Sequence, residues 1–162
     1  MTTILRPILA TLAACACASA IADDASDCRA AAGTFLTGTV ASTPRFAHGK
    51  SKNGVELSHT LMDLVADSDK KHYQIAVDNV FASGYRLGQE VVPPPLDAIK
   101  VGDRLELCGA SFSGGLHWVH TNCGDRPTTD DPNGWVKVIG AGGSVGPNLE
   151  DGQTYCRLWP RR

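Results

Sequence analysis

From Phe35 to Ile139 the apolar residues fall in short runs rich in Val, Leu and Thr, with Gly or Pro interrupting them roughly every ten residues. That punctuation predicts strands and few helices. Candidate strands cover residues 35–40, 55–65, 72–80, 104–109, 116–121 and 135–139. In the third, Tyr73, Ile75 and Val77 alternate with Gln74, Ala76 and Asp78, the period of two expected of a strand buried on one face. In the fourth, Leu105 and Leu107 alternate with Arg104 and Glu106. The connection between them, residues 81–103, carries Pro93, Pro94 and Pro95, which forbid a helix through that point and leave residues 96–100 room for one turn. Five or six short strands with a long link after the third predict a mainly β fold, a small OB-like barrel. A small β-sandwich is the alternative.

The opening residues do not fit this pattern. Arg6 precedes an apolar run from Ile8 to Ala18, and Ala20-Ile21-Ala22 then leads into Asp23-Asp24. This arrangement predicts a signal peptide over residues 1–22 and export, periplasmic or secreted, of a single domain over 23–162. Leu12-Ala13-Ala14-Cys15 also resembles a lipobox, so a lipoprotein anchored through Cys15 is the alternative. The run is too short to cross a bilayer, and no second candidate follows. Removing 22 of 162 residues leaves 140, enough for one hydrophobic core. It also removes one of 15 basic residues, leaving 14 against 17 acidic. The missing basic excess argues against nucleic-acid binding.

Four cysteines remain in the exported part, Cys28, Cys108, Cys123 and Cys156, and an even count in an exported chain predicts two disulfides. Cys28–Cys108 with Cys123–Cys156 is the preferred pairing. No two of the four have the short spacing of a zinc site, so no metal is expected there.

Val136 to Gly146, "VKVIGAGGSVG", resembles the start of a dinucleotide-binding turn. Gly140 and Gly142 take the first two places of the fingerprint, but Val145 stands at the third and Pro147 follows where a helix should run. No Gly-Lys-Ser/Thr completes a phosphate loop either. No cofactor is expected, NAD and ATP included, and the segment reads as a loop leading to a tail tied down by Cys156.

The most unusual chemistry lies in "GGLHWVHTNCG" and "DPNGWVKV", which bring Trp118, His120 and Trp135 onto strands expected to be neighbours. If Leu116, Trp118 and His120 share the inner face, His117 points outward beside Val119. Residues three apart on a strand face opposite ways, so His117 and His120 are not expected to chelate one ion. Two indoles and an imidazole together suit a ligand site, and a histidine can also act as acid or base near neutral pH.

The stretch from Lys100 to Ile139, with Gly102-Asp103, His117-Trp118, His120 and Gly134-Trp135, resembles an uncharacterised family of small exported bacterial proteins. That resemblance implies an OB-like barrel and export, with no established activity. The chain departs from the pattern in lacking a further His after His120 and in its longer insert, "TNCGDRPTTDD".

These observations favour a binding module for an unknown small molecule or protein, with Trp118, His120 and Trp135 at its site. An enzyme is the less favoured class: an extracytoplasmic hydrolase, a nuclease among the options, would use His117 or His120 with Asp103 or Asp125. A secreted inhibitor or immunity-type protein is a third class.

Overall fold

The computed structural model describes residues 15–159. Helix α1, Cys15–Ala30, precedes strands β1 (Thr34–Val40), β2 (Arg45–Ala47), β3 (Ser51–Lys52), β4 (Val55–Glu56) and β5 (His59–Ala66). There follow β6 (His72–Asp78), β7 (Arg104–Phe112), β8 (Gly115–His117) and β9 (Trp135–Ile139). Residues 1–14 of the expected signal segment lie outside the described residues, and its end forms the start of α1. The side chain of Cys15, the alternative anchor, also lies outside the described part. Among the described residues no helix is long and apolar enough to cross a membrane.

Five strands close on themselves in the order β1-β5-β6-β8-β7, with β7 returning to β1. All contacts are antiparallel except β6 with β8. Short β2 and β9 lie outside this ring, on β5 and β7. This is the expected small OB-like barrel. Closure requires β1 to serve both β5 and β7, and at Gly38 it passes so close to β5 that a Cβ would lie 2.4 Å from the Val65 carbonyl oxygen. A side chain there would prise the corner open.

Alternation decides which residues fill the barrel. On β5, Thr60, Met62, Leu64 and Ala66 point in, and His59, Leu61, Asp63 and Val65 are half-exposed. Ile75 and Val77 of β6 and Leu105 and Leu107 of β7 join them, all fully buried. Each such aliphatic side chain contributes on the order of 1.5–3 kcal/mol by leaving water. The long link after β6 seals one end. Its prolines allow only the single turn Leu96–Ala98, and Leu96 and Ile99 enter the core from it.

Three expected strands divide or stop short. Residues 55–65 divide, because Leu57 and Ser58 leave the ladder between β4 and β5. Ser58 and Thr60 are held by the buried Asn79, whose amide nitrogen donates to Ser58 Oγ (3.1 Å) and whose oxygen accepts from Thr60 Oγ1 (2.6 Å). The third strand stops at Asp78, since Asn79–Phe81 make a 3-10 turn. Residues 116–121 are strand only to His117, because Trp118 takes φ 51° and leaves the ladder. The period-two pattern had also given no sign of β2, β3 or α1.

Both disulfides form in the expected pairing, Cys28–Cys108 and Cys123–Cys156. They suit an oxidising, extracytoplasmic environment. The glycine turn after β9 is a loop with Gly142 at φ 75°, closed by a bridge between Ile139 and Val145.

Candidate functional site

The left-handed backbone at Trp118 determines the site. A bulky residue with positive φ is rare and strained, and it persists only where its surroundings enforce it. Gly134 supplies part of that constraint: its N–H donates to the His120 carbonyl (2.8 Å), and a Cβ on it would lie 2.6 Å from the Trp118 carbonyl oxygen. The turn breaks the alternation, so His117 and Trp118 both reach one groove while Val119 enters the core. The expectation that Leu116, Trp118 and His120 share an inner face, with His117 turned away, therefore does not hold beyond Leu116.

The groove has a volume of about 630 Å³ and lies on the outer face of β5 and β6. His59 and Asp78 are direct cross-strand partners there. Lys50 and Lys52 flank them from the hairpin segment, and Trp118 and Trp159 form an aromatic wall. The two indoles meet edge-on with centroids 6.3 Å apart, and Lys52 Nζ stands 4.5 Å over the Trp159 ring. Among the described residues neither Lys50 nor Lys52 makes an ion pair with a carboxylate.

Asp78 is the floor. One carboxylate oxygen lies 2.7 Å from His59 Nε2, and the other lies 3.5 Å from His120 Nε2. Burial alone would push this carboxyl up, but hydrogen bonding to His120 and His59, together with their charge, holds it well below the usual carboxylate range. The hydrogen bond to Asp78 in turn raises His59 above the ordinary imidazole value. His117 is shifted the other way, chiefly by burial. His120 sits behind the wall, 1 % exposed. Its Nδ1–H donates to the Thr121 carbonyl (2.6 Å), and Phe81 stacks on its ring at 3.8 Å, nearly parallel.

No protein-family model matches the chain, and no curated protein matches it. The residues of the site must speak for it.

Trp118 and His120 are brought together, ring centroids 4.8 Å apart, and His117, expected to point away, is brought to the same groove as Trp118. Trp135 is not. It stands on the other side of β9 from the core residue Val136, with Lys137 Nζ 4.7 Å over its ring, and it lines neither the groove nor the niche beside His120. Asp103 and Asp125 are also elsewhere. Asp103 caps the turn before β7 by accepting from the Lys100 N–H (2.8 Å), and the Asp125 carbonyl accepts from Asn122 Nδ2. Sequence reasoning missed His59, Asp78, Trp159 and both lysines. Asp78 had a legible signal, an acidic residue at the end of an alternating strand, but its partner His59 becomes visible only once the β5–β6 register is known. Among the described residues no group of three or more His, Cys, Asp or Glu is arranged to hold a metal ion.

Proposed function

We propose that this is an exported β-barrel binding module whose groove takes an anionic ligand bearing a planar ring. One observation carries the reading: among the described residues, two indoles and two lysines without carboxylate partners converge on a groove whose only acidic lining residue, Asp78, is already engaged by two imidazoles. Indole faces stack on planar rings, and an ammonium beside them answers a negative charge. The location agrees with the fold, since OB barrels bind ligands on the face of their second and third strands beside the loop joining the first two. Here those are β5, β6 and the segment carrying Lys50 and Lys52. Export, to the periplasm or medium or onto a membrane through Cys15, is proposed from the leader pattern and supported by the two disulfides.

Intrinsic tryptophan fluorescence tests the reading. Uridine 3′-monophosphate should quench it saturably, and more tightly than uridine, which lacks the charge, or inorganic phosphate, which lacks the ring. Lys50→Gln with Lys52→Gln should weaken the nucleotide about tenfold, the effect of losing roughly 1.4 kcal/mol of charge attraction. Equal titrations for wild type and double variant, or no saturable change with any probe, would contradict the proposal.

A further inference from the structure

We propose that the groove cleaves single-stranded RNA by internal transesterification, with His117 as general base and His59 as general acid. The inference rests on the binding reading above and adds turnover to it.

Among the described residues the groove lining includes no Ser, Thr, Cys or Tyr, so these offer it no hydroxyl or thiol nucleophile. What it offers is two imidazoles flanking one strand. The parallel register Gln74 with Gly115 and Ile75 with Leu116 sets His117 beside Ala76, and the antiparallel register sets His59 opposite Asp78. With strands about 4.8 Å apart and alternate residues about 6.8 Å apart, the two positions lie roughly 10–12 Å from each other at Cα. Both side chains line the same groove, and His59 is among the charges that act on His117. A substrate that carries its own nucleophile needs nothing more, and the ribose 2′-hydroxyl is one.

The environments of the two rings fit the division of labour. His117, lowered chiefly by burial, is the more readily neutral of the two imidazoles and can accept a proton. His59, raised by its bond to Asp78, is the more readily protonated and can give one. Titratable neighbours pushed in opposite directions mark an acid–base pair. Asp78 holds His59 Nε2–H and leaves Nδ1 for the leaving oxygen, so it is a positioning residue. In the step, the 2′-oxygen bonds to phosphorus as its proton passes to His117. The bond from phosphorus to the 5′-oxygen breaks, and that oxygen takes a proton from His59. The products are a 2′,3′-cyclic phosphate and a 5′-hydroxyl, with no water or redox partner consumed. Lys50 and Lys52 face the phosphate charge, and Trp118 and Trp159 stack the bases. The acidic whole-chain balance does not oppose this, because the groove concentrates what the composition dilutes.

The full chain is incubated with an end-labelled ribo-oligonucleotide and, separately, with the same sequence 2′-O-methylated throughout. Cleavage of the first only, with a cyclic phosphate identified by mass, is expected. His59→Gln and His117→Gln should each slow single-turnover cleavage about 10²–10⁴-fold, with melting curves and affinity for the methylated strand close to wild type. The wild-type rate should be bell-shaped in pH. Its acid limb belongs to His117, which is faced by Asp78, His120, His59 and Asp130. Its alkaline limb belongs to His59, faced by Asp78 and by the lysines of the rim. His59→Gln should erase the alkaline limb, and Asp78→Asn should move it to lower pH. Binding of the methylated strand without cleavage of the ribo strand would overturn this inference and leave the binding reading standing. No binding of either strand would overturn both. Cleavage that persists in folded His59→Gln and His117→Gln proteins would assign the activity to something other than this groove.

Discussion

Two regions of the barrel hold an acidic side chain with little access to water, and they treat it in opposite ways. Asp78 stands in the open groove between His59 and His120, which keep it ionised. Glu106 lies on the outer face of β7 under α1, fully buried, with Lys137 Nζ 3.2 Å away and Asp24 of the helix sharing the same ammonium at 2.8 Å. Burial and the bond to Asp24 push Glu106 up to about 7 against the pull of Lys137. Around it stand Trp135 and the Cys28–Cys108 bridge. A buried charge is therefore no mark of function by itself. The groove differs in having an imidazole on each side of its acid, a cavity above it and rings poised to stack.

The comparison breaks most visibly on the helix side. Cys28–Cys108 closes a span of 80 residues, so replacing both cysteines by serine should cost about 4–5 kcal/mol on the chain-entropy account. Thermal melts should show a drop of roughly 15 °C. Nucleotide affinity measured well below the new midpoint should stay within about twofold of wild type, a difference of under 0.5 kcal/mol. A loss of affinity parallel to the loss of stability would mean that the two regions are one unit.

A smaller effect follows from Glu106. A carboxyl raised in the folded state binds more protons there than in the unfolded chain, so its contribution to stability falls as pH rises from the ordinary glutamate range through about 7. Glu106→Gln imitates the protonated form and should flatten that part of the profile. Asp78 has the opposite sign: its contribution is present above the ordinary carboxylate value and is lost as pH falls toward its depressed one. Melting wild type and Glu106→Gln at pH 5 and pH 8 isolates the difference. An identical pH slope in both would show that Glu106 does not titrate as described.

Much of the fold was legible in the chain because it rests on local pattern. Alternation at Tyr73–Asp78 and Leu105–Leu107, the prolines of the long link and the even cysteine count led to the barrel and both bridges. The site was less legible because it depends on register and on one exceptional backbone angle. A strict period of two sends His117 away from Trp118, and only φ 51° at Trp118 brings them to one groove. Trp135 looked like a neighbour of Trp118 because their strands were expected to be adjacent, whereas β9 pairs with β7 and turns that indole toward Cys108 and Lys137. A third buried acid, Glu150, left no mark in the pattern at all. Burial and the nearby charge of Asp78 hold it well above the usual carboxylate range, while its backbone carbonyl accepts from the Thr121 N–H beside His120.

The chain has three tryptophans, and they divide between the two regions: Trp118 and Trp159 in the groove, Trp135 beside the Lys137 that pairs with Asp24 of the helix. Their indole N–H signals in a ¹⁵N-labelled sample therefore report on the two regions separately. Titration with uridine 3′-monophosphate should move the Trp118 and Trp159 signals together along one saturation curve and leave Trp135 in place, with each signal assigned by its Trp→Phe variant. Saturable movement of Trp135 while Trp118 and Trp159 stay fixed would contradict the account.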